Sequence, residues 1–254
     1  MKKIITLTTI TLLHTLPLTA ISCPQHDHSN DHNPWITLFN EQNLDGWTPK
    51  FNGHPPGENP DNIFRVIDGA ITVTYQDFSP PTFKAHFGNL IYNQPLTNYH
   101  FKCDYRFFGE QAPGASSWAF ANSGAMLHGE SPQQMGIDQP HPTSLEFQFL
   151  AQDDTGERVT GSICSPGTYL DLNGQTIKKH VTKSQKLARP LGEWVTAEVI
   201  IHNGTVQHII NGEIVIEYNN LRRDDGTPLT HGYISLQAES HPCQFRNIQL
   251  KILD

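Results

Sequence analysis

Positive charge is scarce in this chain: 17 Lys and Arg stand against 25 Asp and Glu, giving a formal net charge of −8. Phosphate backbones and anionic lipid surfaces are held by clustered Lys and Arg, so neither nucleic acid nor an anionic membrane surface is expected as a partner. The one basic run, 178–186, has no groove-binding motif around it and reads as a solvated loop. Beyond the N-terminal segment no apolar run is long enough to cross a bilayer. No G-x-S-x-G elbow occurs, which leaves acyl transfer without an anchor, and Gly-rich phosphate cradles are missing too. Sulfur is sparse, with Cys23, Cys103, Cys164 and Cys243 and no CxxC pair, so a zinc site of that type is not expected. With Cys23 set aside, the other three permit at most one intramolecular disulfide, or three buried thiols. A 3.6-residue period is also absent over any stretch longer than two turns, which removes helices from the expected framework.

What is present begins with a leader. Lys2 and Lys3 precede an apolar run over 4–18 that ends in Ala20-Ile21-Ser22-Cys23, the pattern of a bacterial secretory signal peptide. The expected organisation is a signal peptide over 1–22, a polar His-rich linker over 23–34 and one domain over 35–254. Cys23 stands where a lipoprotein carries its lipid, but Ala20 replaces the usual Leu, so lipidation and plain secretion both stay open. Export is expected either way, periplasmic or outer-membrane-associated, with a lipid anchor as the sole membrane attachment.

The domain reads as β throughout. Segments 63–67 and 70–75 flank Asp68-Gly69, the strongest short hairpin signal, and the last third is a meander punctuated by Asn203-Gly204 and Asn211-Gly212. The turn spacing predicts two packed antiparallel sheets, one bowed so that its exposed face forms a groove. Residues 153–189 read as irregular, and the Pro-rich loop 129–143 is long enough to border a site. Gly124, inside the strand expected over 123–128, predicts a bulge or a close backbone approach.

Three strand candidates alternate. Leu145, Phe147 and Phe149 oppose Glu146 and Gln148; Phe101, Cys103, Tyr105 and Phe107 oppose Lys102, Asp104 and Arg106; Ile234, Leu236 and Ala238 oppose Ser235, Gln237 and Glu239. If these share a sheet, Arg106, Glu146, Gln148, Gln237 and Glu239 converge on one polar floor. Alternation equally suits a sheet with one face in water. A polar floor on an acidic sandwich fits a neutral sugar, yet a retaining glycosidase needs two carboxyls about 5 Å apart. The residues after Glu146 on its face are Gln148, Leu150 and Gln152, so simple double displacement lacks its second carboxylate on that strand, with Glu239 or Asp104 from a neighbouring strand as the candidates to stand in.

Five blocks, in order over 35–253, resemble the 3-keto-disaccharide hydrolase domain family. They are Leu38-Phe39-Asn40 with Leu44-Asp45-Gly46-Trp47; Asn122-Ser123-Gly124 running to His128; Glu146-Phe147-Gln148 with Asp153-Asp154-Thr155-Gly156; Pro190-Leu191-Gly192-Glu193-Trp194 with Asn211-Gly212; and Gly232 to Gln237 with Phe245-Arg246-Asn247-Ile248. Val195 and Cys164 depart from the family pattern, neither at a position expected to touch the floor. The resemblance implies a concanavalin-like jelly-roll β-sandwich with a concave active-site face. It also implies cleavage of a sugar whose 3-hydroxyl a separate sugar 3-dehydrogenase has oxidised. A C3 ketone acidifies the C2 proton, so a base removes it, the C1 substituent leaves and water adds back.

In that scheme Glu146 is the base or acid, His128 its partner with an imidazole that titrates near neutrality, and Arg106 the group that holds the enolate or a sugar hydroxyl. Gln148 and Gln237 donate hydrogen bonds, while Glu239 and His241 complete the cleft or join His128 on a divalent ion. Trp194 is read as core and Arg246 as a structural ion pair at a sheet edge. A non-catalytic carbohydrate-binding module and a conventional glucanase are the competing readings.

Overall fold

The structure is a computed structural model that describes residues 33–254; the expected signal peptide and most of the linker lie outside the described residues. Among the described residues the chain forms 17 strands and two single 3₁₀ turns, Pro60–Asn62 and Ser117–Ala119. The strands are β1 (Ile36–Thr37), β2 (Trp47–Phe51), β3 (Phe64–Ile67), β4 (Ala70–Val73), β5 (Gly88–Tyr92), β6 (Tyr99–Phe107), β7 (Asn122–Gly129), β8 (Leu145–Leu150) and β9 (Ile163–Cys164). Then come β10 (Thr168–Leu172), β11 (Gln175–Ile177), β12 (Val181–Thr182), β13 (Val195–His202), β14 (Thr205–Ile210), β15 (Glu213–Arg223), β16 (Tyr233–Ala238) and β17 (Cys243–Ile252).

They pair antiparallel into two sheets. A ten-stranded sheet runs β11-β10-β15-β14-β13-β6-β17-β4-β3 with β1 added against β17, and a seven-stranded sheet runs β12-β9-β8-β7-β16-β5-β2. The chain passes back and forth between them: β6 lies in the large sheet, β7, β8 and β9 in the small one, β16 in the small and β17 in the large. This is the jelly-roll sandwich that was expected.

Turn chemistry fixes the hairpins. Asp68-Gly69, Asn203-Gly204 and Asn211-Gly212 all have positive φ at both positions, as a two-residue type I′ connection requires. Asn173-Gly174 does the same between β10 and β11, inside the stretch 153–189 that had read as irregular. That stretch also carries β9, β10 and β12, strands too short for alternation to reveal.

The inward residues of both sheets form one core, including Leu145, Phe147 and Phe149 from β8, Phe101, Tyr105 and Phe107 from β6, and Ile234, Leu236 and Ala238 from β16. Tyr105 stacks on Phe149 across the layers at 4.4 Å and 6°, a contact worth about 1 kcal/mol beyond its buried area. Behind β8, the buried His208 lies 4.1 Å from the Phe147 ring. Its Nδ1–H donates to the Gly161 carbonyl and its Nε2 accepts from the Tyr218 hydroxyl, so the imidazole is held neutral and in one tautomer. Cys103, Cys164 and Cys243 are buried free thiols, with no disulfide among the described residues.

Candidate active site

The outer face of the seven-stranded sheet carries an unusual set of side chains. Lys50 on β2, Asn89 on β5 and Gln237 on β16 stand in one cross-strand row. All three point away from the core, yet their exposures are 0%, 0% and 1%. Something therefore covers them, and it is the loop 129–143. Lys50 Nζ donates to the Ile137 carbonyl at 3.0 Å and Asn89 Nδ2 to that of Pro140 at 3.0 Å. The Gly53 amide adds a second bond to Ile137 O, and Gln237 Nε2 reaches His141 Nδ1 at 3.3 Å. The Pro-rich loop thus lids one half of the sheet face. Over β8 the face stays open, and Gln148, Leu150 and Ser162 line a groove of about 670 Å³.

Two carboxyls sit at the border between the lidded and open halves. Glu146 on β8 faces Met126 on one side and Cys164 on the other. Its side chain lies across Gly124, where an added Cβ would stand 2.7 Å from Oε1 and 2.8 Å from Cγ. The glycine is the close approach that the sequence had implied. Glu146 is 6% exposed, Oε1 has no hydrogen-bond partner, and burial pushes its carboxyl up to about 8, opposed in part by the neighbouring Cys164 thiol.

Glu239, one residue past the end of β16, is also buried. Its Oε1 accepts from Gln237 Nε2 at 3.2 Å and lies 3.8 Å from His141 Nε2, while Oε2 is unpartnered. Burial holds its carboxyl well above the usual range, and the Glu146 charge raises it further. The two groups form an acidic pair in which ionising one opposes ionising the other. His141 is kept neutral near this pair, since burial lowers its imidazole to about 4.

Of the residues expected on the floor, the structure gathers Glu146, Gln148, Gln237 and Glu239 on one sheet face. Arg106 is not among them. β6 belongs to the other sheet, where Arg106 Nε donates to Gln244 and the guanidinium lies 4.6 Å from the Trp194 ring. Alternation assigns a residue to a face, not a strand to a sheet, and β6 and β8 read alike. Trp194 is half-buried on that outer surface with Arg246 3.9 Å from its ring, rather than in the core. Arg246 does pair with Asp104, at 3.4 Å, but between neighbouring interior strands rather than at an edge.

His128 is not the partner of Glu146 either. β7 bulges between Met126 and Gly129, and His128 adopts φ 51°. The bulge turns the ring toward Tyr99 of the opposite sheet, with Nε2 at the Thr97 carbonyl. Burial lowers the imidazole to about 4, so it is neutral near pH 7 instead of titrating there. His241 packs edge-on against Phe107 and Phe120 and is likewise lowered to about 4, by burial and then by the Arg158 charge. The set His128, Glu239 and His241 is therefore not assembled, and no group of three or more His, Cys, Asp and Glu among the described residues is placed to hold a metal ion. Cys164, expected away from the floor, lies on it beside Glu146, and the carboxylates of Glu146 and Glu239 push its thiol upward behind the effect of burial.

Sequence reasoning missed His141, Lys50 and Asn89. A loop histidine has no periodicity to mark it, and a strand lysine reads as solvated until a loop is known to cover it.

A family profile described as the 3-keto-alpha-glucoside-1,2-lyase-like domain matches residues 34–251. The chain belongs to that family. A relative from Bacteroides thetaiotaomicron, named 3-keto-disaccharide hydrolase, is 22% identical over 250 residues, covering 88% of this chain and 80% of its own. Among solved structures, a candidate glycosyl hydrolase from Parabacteroides distasonis aligns with a TM-score of 0.55 at 20% identity, over 87% of this chain and 94% of its own. The exoplasmic domain of VIP36, bound to Ca²⁺ and Man3GlcNAc, aligns with a TM-score of 0.51 at 12% identity, over 89% and 90%. These structural likenesses bear on the fold. Family membership and the named relative point to a glycosyl hydrolase-like activity.

Proposed function

We propose that the open half of the sheet face binds a glycoside already oxidised to a ketone at C3, and that Glu146 and Glu239 move the two protons needed to release its C1 substituent. The observation that carries this reading is the buried acidic pair, with Glu146 two residues along β8 from Gln148 of the groove. The charge on one of the two acids holds the proton on the other, and Glu146 is taken as the one that ionises. One site thus presents a strongly basic carboxylate beside a carboxylic acid, the arrangement needed for paired acid and base work.

Glu146 takes the C2 proton, which the adjacent ketone makes acidic, and the electron pair passes into the C2–C3 enolate. That enolate expels the C1 oxygen, which takes its proton from Glu239, leaving a C1=C2 double bond conjugated to the ketone. Water then adds across that bond, with hydroxide to C1 and a proton to C2, so the sum is hydrolysis. The Gln148 amide, in the groove, is the proposed donor to the ketone oxygen, taking the role first given to Arg106. Gln237 fixes Glu239 through its amide. Because the C3 ketone is made by oxidation, a sugar 3-dehydrogenase must act first. The leader-like sequence of residues 1–22 supports an exported site for the reaction.

The test is release of the leaving group from a 3-keto-glucoside and from its unoxidised parent. Wild type is expected to act on the ketone alone, with Glu146→Gln lowering kcat by roughly 10²–10⁴ while the fold persists. Release only from the parent would favour a conventional glycosidase. Release from neither, with glycan binding that Glu146→Gln leaves unchanged, would favour a binding module.

A further inference from the structure

The half-lidded sheet face has a direction. On the side of β16, β5 and β2 the loop 129–143 is bonded down over the polar row, leaving no room for a saccharide to continue that way. On the side of β8 the groove is open. The acidic pair stands where the two meet.

From the lid, aromatic rings lead outward. His141 lies 5.1 Å from Phe87, and Phe87 lies 6.1 Å from Trp118, which is 58% exposed and lines the groove. An indole this exposed, beside a groove rather than over the core, offers a flat apolar face of the kind on which a pyranose stacks. The rest of the groove sets charged side chains of both signs, Asp153, Glu157, Arg158 and Lys183, beside the smaller apolar patches of Leu150, Val159 and Val181. Such a lining suits a polyhydroxylated leaving group better than an apolar one.

We infer that the enzyme acts from the end of a saccharide chain. The oxidised terminal ring is enclosed at the lid beside Glu146 and Glu239, and the leaving saccharide extends outward with its first ring stacked on Trp118. Trp118 is a specificity-determining residue in this scheme and takes no part in the proton transfers. The inference rests on the reaction proposed above, and two experiments separate its failure from the failure of that reaction.

The first needs no turnover. In Glu146→Gln protein, glucose and gluco-trisaccharides of α and β linkage are titrated while the indole N–H resonances of Trp35, Trp47, Trp118 and Trp194 are followed, with Trp118→Phe assigning the signal. A Trp118 shift with at least one trisaccharide and little with glucose is expected; no Trp118 shift with any trisaccharide would overturn the inference even if catalysis were intact. The second compares methyl 3-keto-glucoside with trisaccharides carrying the ketone on the terminal or on the internal ring. The methyl glycoside and, of the two trisaccharides, only the terminal-ketone one should be turned over, and Trp118→Ala should lower the kcat/KM of that trisaccharide, relative to that of the methyl glycoside, by roughly tenfold. Equal cleavage at the internal ring, or an unchanged ratio, would refute it. Absence of turnover with every ketone, alongside the Trp118 shift, would remove the reaction and leave the end-on saccharide site standing.

Discussion

Replacing Glu146 by Gln should make the protein more stable at neutral pH, and by an amount that grows with pH. In the folded protein the carboxyl is raised from 4.5 to about 8, mainly by burial. A raised acid favours the fold fully below its unfolded value, and that advantage is lost as pH climbs through the folded value, because the unfolded chain releases a proton that the native state retains. At about 1.36 kcal/mol per pKa unit, the loss between pH 5 and pH 7 is about 3 kcal/mol, and across the whole window about 4–5 kcal/mol. The Gln variant has no such proton to hold. Burial raises Glu239 in both proteins and the Glu146 charge adds to it only in the wild type, so the comparison is read between pH 5 and pH 7, where Glu146 itself dominates the difference. Urea unfolding of both proteins at pH 5 and 7 reads the difference directly. In thermal melts it corresponds to a relative gain of roughly 6–12 °C for the variant between pH 5 and pH 7. Curves that stay parallel over that range would mean that Glu146 is hydrated and ionised in the native state, and both the acid pair and the chemistry assigned to it would fall.

Other consequences are testable on the same protein. Plots of log kcat/KM against pH should rise with a slope near one below about 8 and level off above it, since ionised Glu146 is the proposed base; a profile that falls through this region would make Glu146 the acid instead. Gly124→Ala places a methyl 2.7 Å from Glu146 Oε1 and 3.0 Å from the Phe147 carbonyl, so it should lower kcat and cost about 1–3 kcal/mol of stability. Unaltered kinetics in that variant would show that the carboxyl is free to move elsewhere. Lys50→Met removes one of the two donors to Ile137 O from beneath the lid, and amide hydrogen exchange over 129–143 should quicken while exchange in β13 and β14 is unchanged. His208→Phe leaves the Gly161 carbonyl and the Tyr218 hydroxyl without their partner and should destabilise by about 1–3 kcal/mol, seen in the urea midpoint.

Much of the architecture could be read before any coordinates. Alternation sent Phe147 inward and Glu146 outward, and Asp68-Gly69, Asn203-Gly204 and Asn211-Gly212 marked hairpins that the structure contains. The errors have physical causes. A period of two is silent about sheet membership, so β6 was grouped with β8 and Arg106 was brought to a site on the opposite sheet. One extra residue in β7 rotated His128 through the sheet, and bulges of this sort leave no mark in polarity. The second carboxylate, absent from the strand of Glu146, was legible in Glu239, which arrives just past β16, two strands away; Asp104, the other candidate, lies on β6 in the opposite sheet. Cys164 was set aside because β9 is only two residues long and showed no pattern.

The lid is tied to the sheet in a way that frees its own sequence to change. Lys50, Asn89 and the Gly53 amide all grip main-chain oxygens of the loop, at Ile137 and Pro140, so these bonds survive whatever side chains those positions carry. Mutation along 129–143 can reshape the wall that meets the substrate without untying the strap. A protein built this way can drift toward new sugars by altering the loop, while the acids beneath it stay where they are.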